Sequence, residues 1–322
     1  MPMQVFRHLE EVPADFGPTI VSIGNFDGIH RAHQSVLHEM VIRARSSGAR
    51  ALAVTFDPHP TRILRPDKEL KLITPLPVKL KLFEQTGVDG VLVLPFTRDL
   101  SMMSPHEFVQ QILIETLKVR EIHEGFNFHF GHKASGNVEV LREFGKELGF
   151  EVFVYPEMKL RRETVSSTEI RRLLREGNVS KARHLLGRAF SIHSYPGRGR
   201  GYGHKYTVPT INLVPYDELV PRDGVYITRS QIGGVCFDSV TNVGKRPTFG
   251  PDSFAIESHM LNFHPIEVTA DTPYELIFFE WVRPEIKFPS TEALRDQIAK
   301  DVHKARRFFH LISKKPSDSR SR

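Results

Sequence analysis

The sequence predicts an α/β domain built on a parallel sheet, followed by a small antiparallel β-barrel that a C-terminal helix closes. Three observations predict it. Over residues 1–186, short apolar runs alternate with amphipathic stretches of helical period, the pattern of strands buried between helices. Beyond Gly187-Arg188 that period gives way to short β-rich segments separated by Gly, Pro and Asp. A last amphipathic stretch, Thr291 to Phe309, then reads as a helix against the barrel.

In chain order, the strand candidates of the first domain are Thr19–Ile23, which reads as buried, Ala51–Phe56, Gly90–Leu94, Glu121–Gly125 and Glu151–Tyr155. Ser104-Pro-His-Glu107 opens a helix over Phe108–Leu117, with Ser at the N-cap, Pro at N1 and Glu at N3. Ser166-Ser167-Thr168-Glu169 is a second capping box; it starts a helix over Ile170–Glu176 that stops at Gly177, and another short helix runs to about Leu186. The barrel strands are expected at Ala189–Tyr195, Val208–Val214, Val225–Ser230, Gly234–Val243, Phe254–Phe263 and Tyr274–Val282. The expected domains are thus 1–186 and 187–313, with a basic tail, 314–322, lacking any structural pattern.

Length and composition fit two ordinary globular domains: 322 residues, 40% hydrophobic and 25% charged. No apolar run approaches the roughly 20 residues that span a bilayer. Met1 to Phe16 carries Glu10, Glu11 and Asp15 and no long apolar core, so it does not read as a secretory signal. Cys236 is the only cysteine, which excludes an internal disulfide and fits a cytoplasmic location. The net charge of +6 does not by itself indicate nucleic acid, because the tail contributes four positive charges against one negative, and no basic-aromatic module of an RNA binder is present. Neither nucleic acid nor membrane is an expected partner; the oligomeric state is not legible.

The most informative stretch is Gly24-Asn-Phe26-Asp27-Gly28-Ile-His30-Arg-Ala-His33. A buried strand, a glycine-punctuated turn and a helix start make a phosphate-binding geometry, because the first N–H groups of a helix are unpaired. Two histidines three residues apart at that turn can face one ligand and donate to a phosphoryl group. In the second domain, Gly197, Gly199, Gly201 and Gly203 alternate before Pro209-Thr210-Ile-Asn212. Glycines admit backbone N–H groups close to phosphates, and Thr210 and Asn212, two apart on a strand, share a face and are oxygen ligands suited to Mg²⁺ on ATP.

The first motif resembles the Gly-x-Phe-Asp-Gly-x-His-x-Gly-His signature of FMN adenylyltransferases, members of the nucleotidyltransferase superfamily with a Rossmann-like fold. Thr55-Phe-Asp-Pro58-His59-Pro60, Gly125-Phe-Asn127-Phe-His-Phe-Gly131 and Ser166-Ser-Thr-Glu-Ile-Arg171 keep that family's order and spacing. With the second domain included, nearly the whole chain resembles the family of bacterial bifunctional riboflavin kinases/FAD synthetases. The resemblance implies that riboflavin is phosphorylated to FMN by ATP in the barrel, and that FMN is adenylylated to FAD in the first domain. It implies that Gly24, Phe26, Asp27, Gly28, His30, His33, Ser167, Thr168 and Arg171 bind ATP or act on its phosphates. Pro58, His59 and Asn127 would lie near flavin or nucleotide. In the barrel it implies Thr210 and Asn212 as the magnesium/ATP pair, Glu257 of Ile256-Glu-Ser-His-Met260 as general base toward the riboflavin 5′-hydroxyl, and Arg283 of Arg283-Pro-Glu-Ile-Lys-Phe288 beside the flavin.

Three departures stand out. Ala32 replaces a glycine of the first motif, which matters if that position needs φ > 0 and is harmless inside a helical turn. Thr207 and His204 replace a glycine and an arginine of the barrel motif. Two rival readings remain at this stage: a nucleotidyltransferase for another phosphate, and a flavin- or nucleotide-binding regulator with degenerate sites.

Overall fold

The computed structural model describes residues 2–197, 210–245 and 254–314. The chain divides into two compact units, Met1–Glu169 and Ile170–Arg322.

The first unit is a six-stranded, wholly parallel sheet of β1 (Gln4–Phe6), β2 (Thr19–Ile23), β3 (Arg50–Phe56), β4 (Gly90–Leu94), β5 (Val119–Gly125) and β8 (Glu151–Tyr155) in the order β1-β4-β3-β2-β5-β8. Two small hairpins accompany it: β6 (His129–Phe130) with β7 (Gly136–Asn137), and β9 (Lys159–Leu160) with β10 (Glu163–Thr164). The helices are α1 (Arg31–Ser47), α2 (Pro60–Leu64), α3 (Leu76–Thr86), α4 (Arg98–Met102), α5 (Pro105–Glu107) and α6 (Val138–Leu148).

Alternate residues of each central strand enter two separate cores, which is why the strands read as continuous apolar runs. Ile20, Ala53 and Val91 pack with Leu37, Met40 and Phe83 of α1 and α3; Val21, Leu52 and Leu92 pack on the opposite face with Ile112, Leu113 and Leu141.

Two local features differ from the sequence reading. The Ser104 capping box is formed, with Glu107 N donating to Ser104 Oγ and Ser104 N to the Glu107 carboxylate. However, after α5 the helix winds as a π-helix over Phe108–Thr116, and Leu117 N reaches back to Ile112 O. The wider turn keeps Phe108, Val109, Ile112 and Leu113 all buried against one sheet face. The edge strand β1, only three residues long, carries no pattern of its own and is created by its pairing with β4.

The second unit holds α8 (Val179–Leu186) and most of α7 (Ser167–Arg175), whose Leu173, Leu174, Leu185 and Leu186 are buried. Its seven-stranded antiparallel sheet contains β11 (Phe190–Ser194), β12 (Pro196–Gly197), β13 (Thr210–Leu213), β14 (Gly224–Ile232), β15 (Val235–Lys245), β16 (Phe254–Met260) and β17 (Tyr274–Arg283). The order is β11-β17-β14-β15-β16-β13-β12. The sheet curls around its inner face, and α9 (Thr291–Ser313) packs Ala305 and Phe309 on Val225, Ile227 and Val240.

That inner face is partly polar. Thr228, Ser230, Ser239, Thr241 and Ser258 are fully buried and bond one another, with Tyr274 joining at 2.7 Å from Ser230. A hydroxyl can both donate and accept, so the cluster satisfies itself without charge.

Candidate active sites

In the first unit the chain builds outward from β2 to β3 and β4 on one side, then returns to place β5 and β8 on the other. The strand order therefore reverses between β2 and β5, and ligands of such sheets bind outside the carboxyl ends of the strands at that switch point. The sequence motifs lie at those ends: Gly24–His33 after β2, Pro58 and His59 after β3, Phe126–Phe128 after β5. β2–β5 pairing extends only to Val21 and Ile122. Beyond it, the buried Glu124 side chain takes over, accepting from Ile23 N at 2.5 Å. Burial pushes the Glu124 carboxyl well above the usual carboxylate range.

The turn itself is strained and held. Phe26 (φ 46°) and Ile29 (φ 34°) adopt left-handed conformations without being glycine, and Gly28 sits at φ 89°. Each non-glycine residue so held costs on the order of 1–3 kcal/mol. The restraint comes from Asp27, whose carboxylate accepts from Ile73 N and from Thr74 N and Oγ1 at 3.0 to 3.3 Å. Gly28 N in turn donates to Thr74 Oγ1 at 2.7 Å. Asp27 thus clips the Ile73–Thr74 segment onto the turn.

His30 caps α1, its Nδ1 accepting from His33 N at 3.4 Å, and the two imidazoles stack with centroids 3.6 Å apart. An Nδ1 that accepts assigns the proton of neutral His30 to Nε2. His33 Nδ1 is buried and has no hydrogen-bond partner. Burial first, then the nearby His30 and Lys79, hold the His33 imidazole well below its ordinary pKa, so it is neutral at neutral pH. Ala32 is the second residue of α1, inside the helix, where alanine is conformationally at ease.

The Ser166–Arg171 segment meets this turn directly. Ser166 Oγ accepts from Glu169 N, capping α7, and Ser167 Oγ donates to Asp27 O at 2.8 Å. The start of α7 therefore reaches the Gly24–Gly28 turn, with Thr168 exposed and Arg171 one turn further along the helix. His59 caps α2 by accepting from Thr61 N at 3.1 Å, and Asn127 is exposed in the turn after β5. Lys79 and Thr74 had no sequence signal as site residues, and Thr55 opens a quoted motif without an assigned role, yet Lys79 Nζ and Thr55 Oγ1 both donate to Asn25 O, at 2.8 and 3.3 Å.

The second unit builds its site by register. Asn212 of β13 pairs with Glu257 of β16, Glu257 pairs with Asn242 of β15, and Gly197 of β12 pairs with Asn212. Thr210 pairs with His259, Oγ1 to Nδ1 at 3.5 Å. Directly opposed residues share a face, so Thr210, Asn212, Glu257, His259 and Asn242 lie together on the half-exposed side of the sheet. Ile256, Ser258 and Met260 point into the core.

Asn242 Nδ2 donates to Glu285 Oε1 at 2.9 Å, and that carboxylate lies over Gly244, where a Cβ would come within 2.1 Å of it. His259 and Glu285 lie inside quoted motifs but carried no assigned role, and Asn242 carried none either. Arg283 is held by Asp301 of α9 through a bidentate ion pair with a shortest distance of 2.7 Å. Gly199, Gly201, Gly203, His204 and Thr207 lie outside the described residues, as does the tail beyond residue 314.

An α/β unit with helix starts at its switch point, joined to an antiparallel unit with oxygen donors in register, defines a two-domain protein built to handle phosphate groups. Comparison with known proteins makes the class specific. The FAD synthetase family matches residues 12–169 and the Riboflavin kinase family residues 186–309. A bifunctional riboflavin kinase/FMN adenylyltransferase of Pseudomonas fluorescens is 34% identical over 94% of this chain and 97% of its own. Proteins of that name from Listeria monocytogenes and Escherichia coli K12 are 32% and 30% identical, over 90% and 91% of this chain and 92% and 93% of theirs. A solved structure described as a macrolide-efflux protein from Streptococcus pneumoniae is similar across 95% of this chain and 99% of its own, with a TM-score of 0.85 and 25% identity. Among the described residues no helix is long and apolar enough to cross a membrane. The chain belongs to the bifunctional riboflavin kinase/FMN adenylyltransferase family.

Proposed function

We propose that this bifunctional enzyme makes FMN from riboflavin and ATP on the half-exposed face of the second unit, and FAD from FMN and ATP at the β2–β5 switch point of the first. The adenylyl-transfer domain is assigned to residues 1–186 and the kinase domain to 187–313. The observation that carries the reading is the stacked His30–His33 pair at the switch point, with His33 Nδ1 buried and unpartnered. A buried polar atom without a partner is costly, and a phosphate oxygen is the partner this turn is shaped to receive.

In adenylyl transfer, an oxygen of the FMN phosphate bonds to the α-phosphorus of ATP while the bond to the α,β-bridging oxygen breaks. Pyrophosphate leaves with the electron pair. His30 and His33 donate to the phosphates; the Gly24–Gly28 backbone lets them approach. Ser167, Thr168 and the first N–H groups of α7 hold the leaving pyrophosphate, and Arg171 adds a planar cationic donor. Pro58, His59 and Asn127 border the nucleotide or flavin. Asp27 shapes the turn through its clip on Thr74.

In the kinase unit, Glu257 takes the proton of the riboflavin 5′-hydroxyl as its oxygen attacks the γ-phosphorus and ADP departs. Among the described residues no group of three His, Cys, Asp or Glu forms a metal cage. The donor set instead suits Mg²⁺, which keeps water and phosphate ligands and takes one or two protein oxygens. Thr210 and Asn212 would hold such an ion, which neutralises charge on the ATP phosphates. Gly197 brings β12 backbone against Asn212. Arg283, tied to Asp301, fixes the Pro284–Phe288 segment at the flavin side. The single cysteine, Cys236, supports a cytoplasmic location.

Incubation of the purified protein with riboflavin, ATP and Mg²⁺, followed by chromatographic separation of flavins, tests the reading. Both FMN and FAD are expected, with pyrophosphate released in step with FAD. Absence of both products overturns the assignment, and FMN alone overturns the adenylyl-transfer half.

A further inference from the structure

We infer that Lys79 is a positioning residue for adenylyl transfer: its buried ammonium fixes the Asn25 carbonyl beneath the phosphate turn and supplies counter-charge to the phosphates bound above. The inference rests on the first unit being the adenylyl-transfer site.

Lys79 stands on α3 with 3% of its surface exposed. Its Nζ donates to Asn25 O at 2.8 Å and lies 3.4 Å from Thr55 Oγ1. Among the described residues no carboxylate forms an ion pair with it, and the nearer acidic groups are otherwise placed. The Asp27 carboxylate is engaged by Ile73 and Thr74, and Asp57 is exposed at the end of β3. A buried ammonium satisfied only by neutral oxygens is an expensive arrangement, retained where its charge has a use.

Three features point to that use. The lysine holds the carbonyl of the residue that separates Gly24 from the strained Phe26, so it restrains the turn from below. It is close enough to His33 to oppose protonation of that imidazole, which helps to keep His33 neutral. Burial pulls the Lys79 pKa down, while the Asp27 and Asp57 charges resist that pull. Finally, adenylyl transfer brings an anionic phosphate oxygen against an already anionic triphosphate. A cation fixed in low dielectric beneath the turn weakens that repulsion with no reorganisation at the moment of reaction.

The test is Lys79→Met, which keeps the length and bulk of the stem and removes the charge. The variant is expected to melt no lower than the parent and to form FMN from riboflavin at the parent rate. FAD formation from FMN and ATP falls about tenfold to a hundredfold, less than the roughly 10²- to 10³-fold of a lost donor that touches the reacting oxygen. The His33 imidazole, followed by NMR, titrates at higher pH than in the parent. Where Met disturbs folding, Lys79→Gln retains a donor to Asn25 without the charge and is expected to show the same pattern.

Unchanged FAD formation in a folded variant overturns the inference, as does an unmoved His33 titration. Collapse of both variants overturns it as well, since Lys79 is then a folding residue. Failure of the unaltered protein to convert FMN to FAD strikes the functional reading instead, so the two failures are distinguishable.

Discussion

The two proposed sites are built in opposite ways for the same kind of ligand. In the first unit the site is a turn: Gly24 to His33 is contiguous, its geometry comes from positive-φ backbone, and its donors are N–H groups and imidazoles at the ends of parallel strands. In the second unit the site is a strand face. Its residues come from four strands, the backbone is regular, and β-register alone brings Asn212, Glu257 and Asn242 into line. A turn site concentrates its information in a few neighbouring residues but must be braced against strain. A register site needs no brace, since the ladder holds it, but it depends on segments far apart in sequence.

The contrast can be broken at either site. Glu257→Gln removes the proposed base from a regular strand without disturbing the ladder; FMN formation is expected to fall about 10²- to 10⁴-fold with the melting temperature unchanged. Its measurement is the initial rate of riboflavin phosphorylation. His33→Ala is expected to lower FAD formation from FMN about 10²- to 10³-fold while riboflavin phosphorylation continues at the parent rate. Asp27→Ala probes the brace. Three donors on Ile73 and Thr74 lose their acceptor, so the first unit should lose about 1–3 kcal/mol of stability in urea denaturation, and FAD formation should fall with it. No residue of the register site is expected to couple stability to activity in this way.

The smallest effect concerns Glu124. Its folded pKa is raised, so the folded chain keeps a proton that the unfolded chain releases once pH exceeds the usual carboxylate range. Stability from this group is therefore intact at low pH and is lost as pH rises toward the folded pKa. Glu124→Gln mimics the protonated form and still accepts from Ile23 N. The variant should match the parent at about pH 4 and melt higher at about pH 8, as followed by calorimetry.

The same contrast explains what could be read in advance. The four central strands of the first sheet were legible because each is buried on two faces, the half-exposed edge strand β8 because its apolar run lies between Gly149 and Pro156, and the His30–His33 turn because its signals are adjacent. Ala32 was ambiguous until the helix start was placed one residue before it. The clip from Asp27 to Thr74 was not legible, since it depends on where the segment after α2 docks. Lys79 reads as an ordinary helix lysine, and only the docking of α3 buries it. In the barrel, Thr210, Asn212 and Glu257 were legible as residue types, but the pairing that unites them is a property of the sheet. Asn242 and Glu285 were passed over for the same reason: their hydrogen bond joins β15 to the segment after β17. The π-helical winding after α5 left no mark on the apolar spacing, which an α-helix would satisfy equally.

In the proposed function, two separate sites in one chain act in sequence. Mixing purified His33→Ala and Glu257→Ala proteins with riboflavin, ATP and Mg²⁺ tests it most directly. The first variant alone should stop at FMN and the second alone should make neither product, while the mixture should make FAD. A mixture that yields no FAD from two folded proteins, a His33→Ala protein that makes no FMN, or a Glu257→Ala protein that cannot adenylylate supplied FMN would contradict the claim.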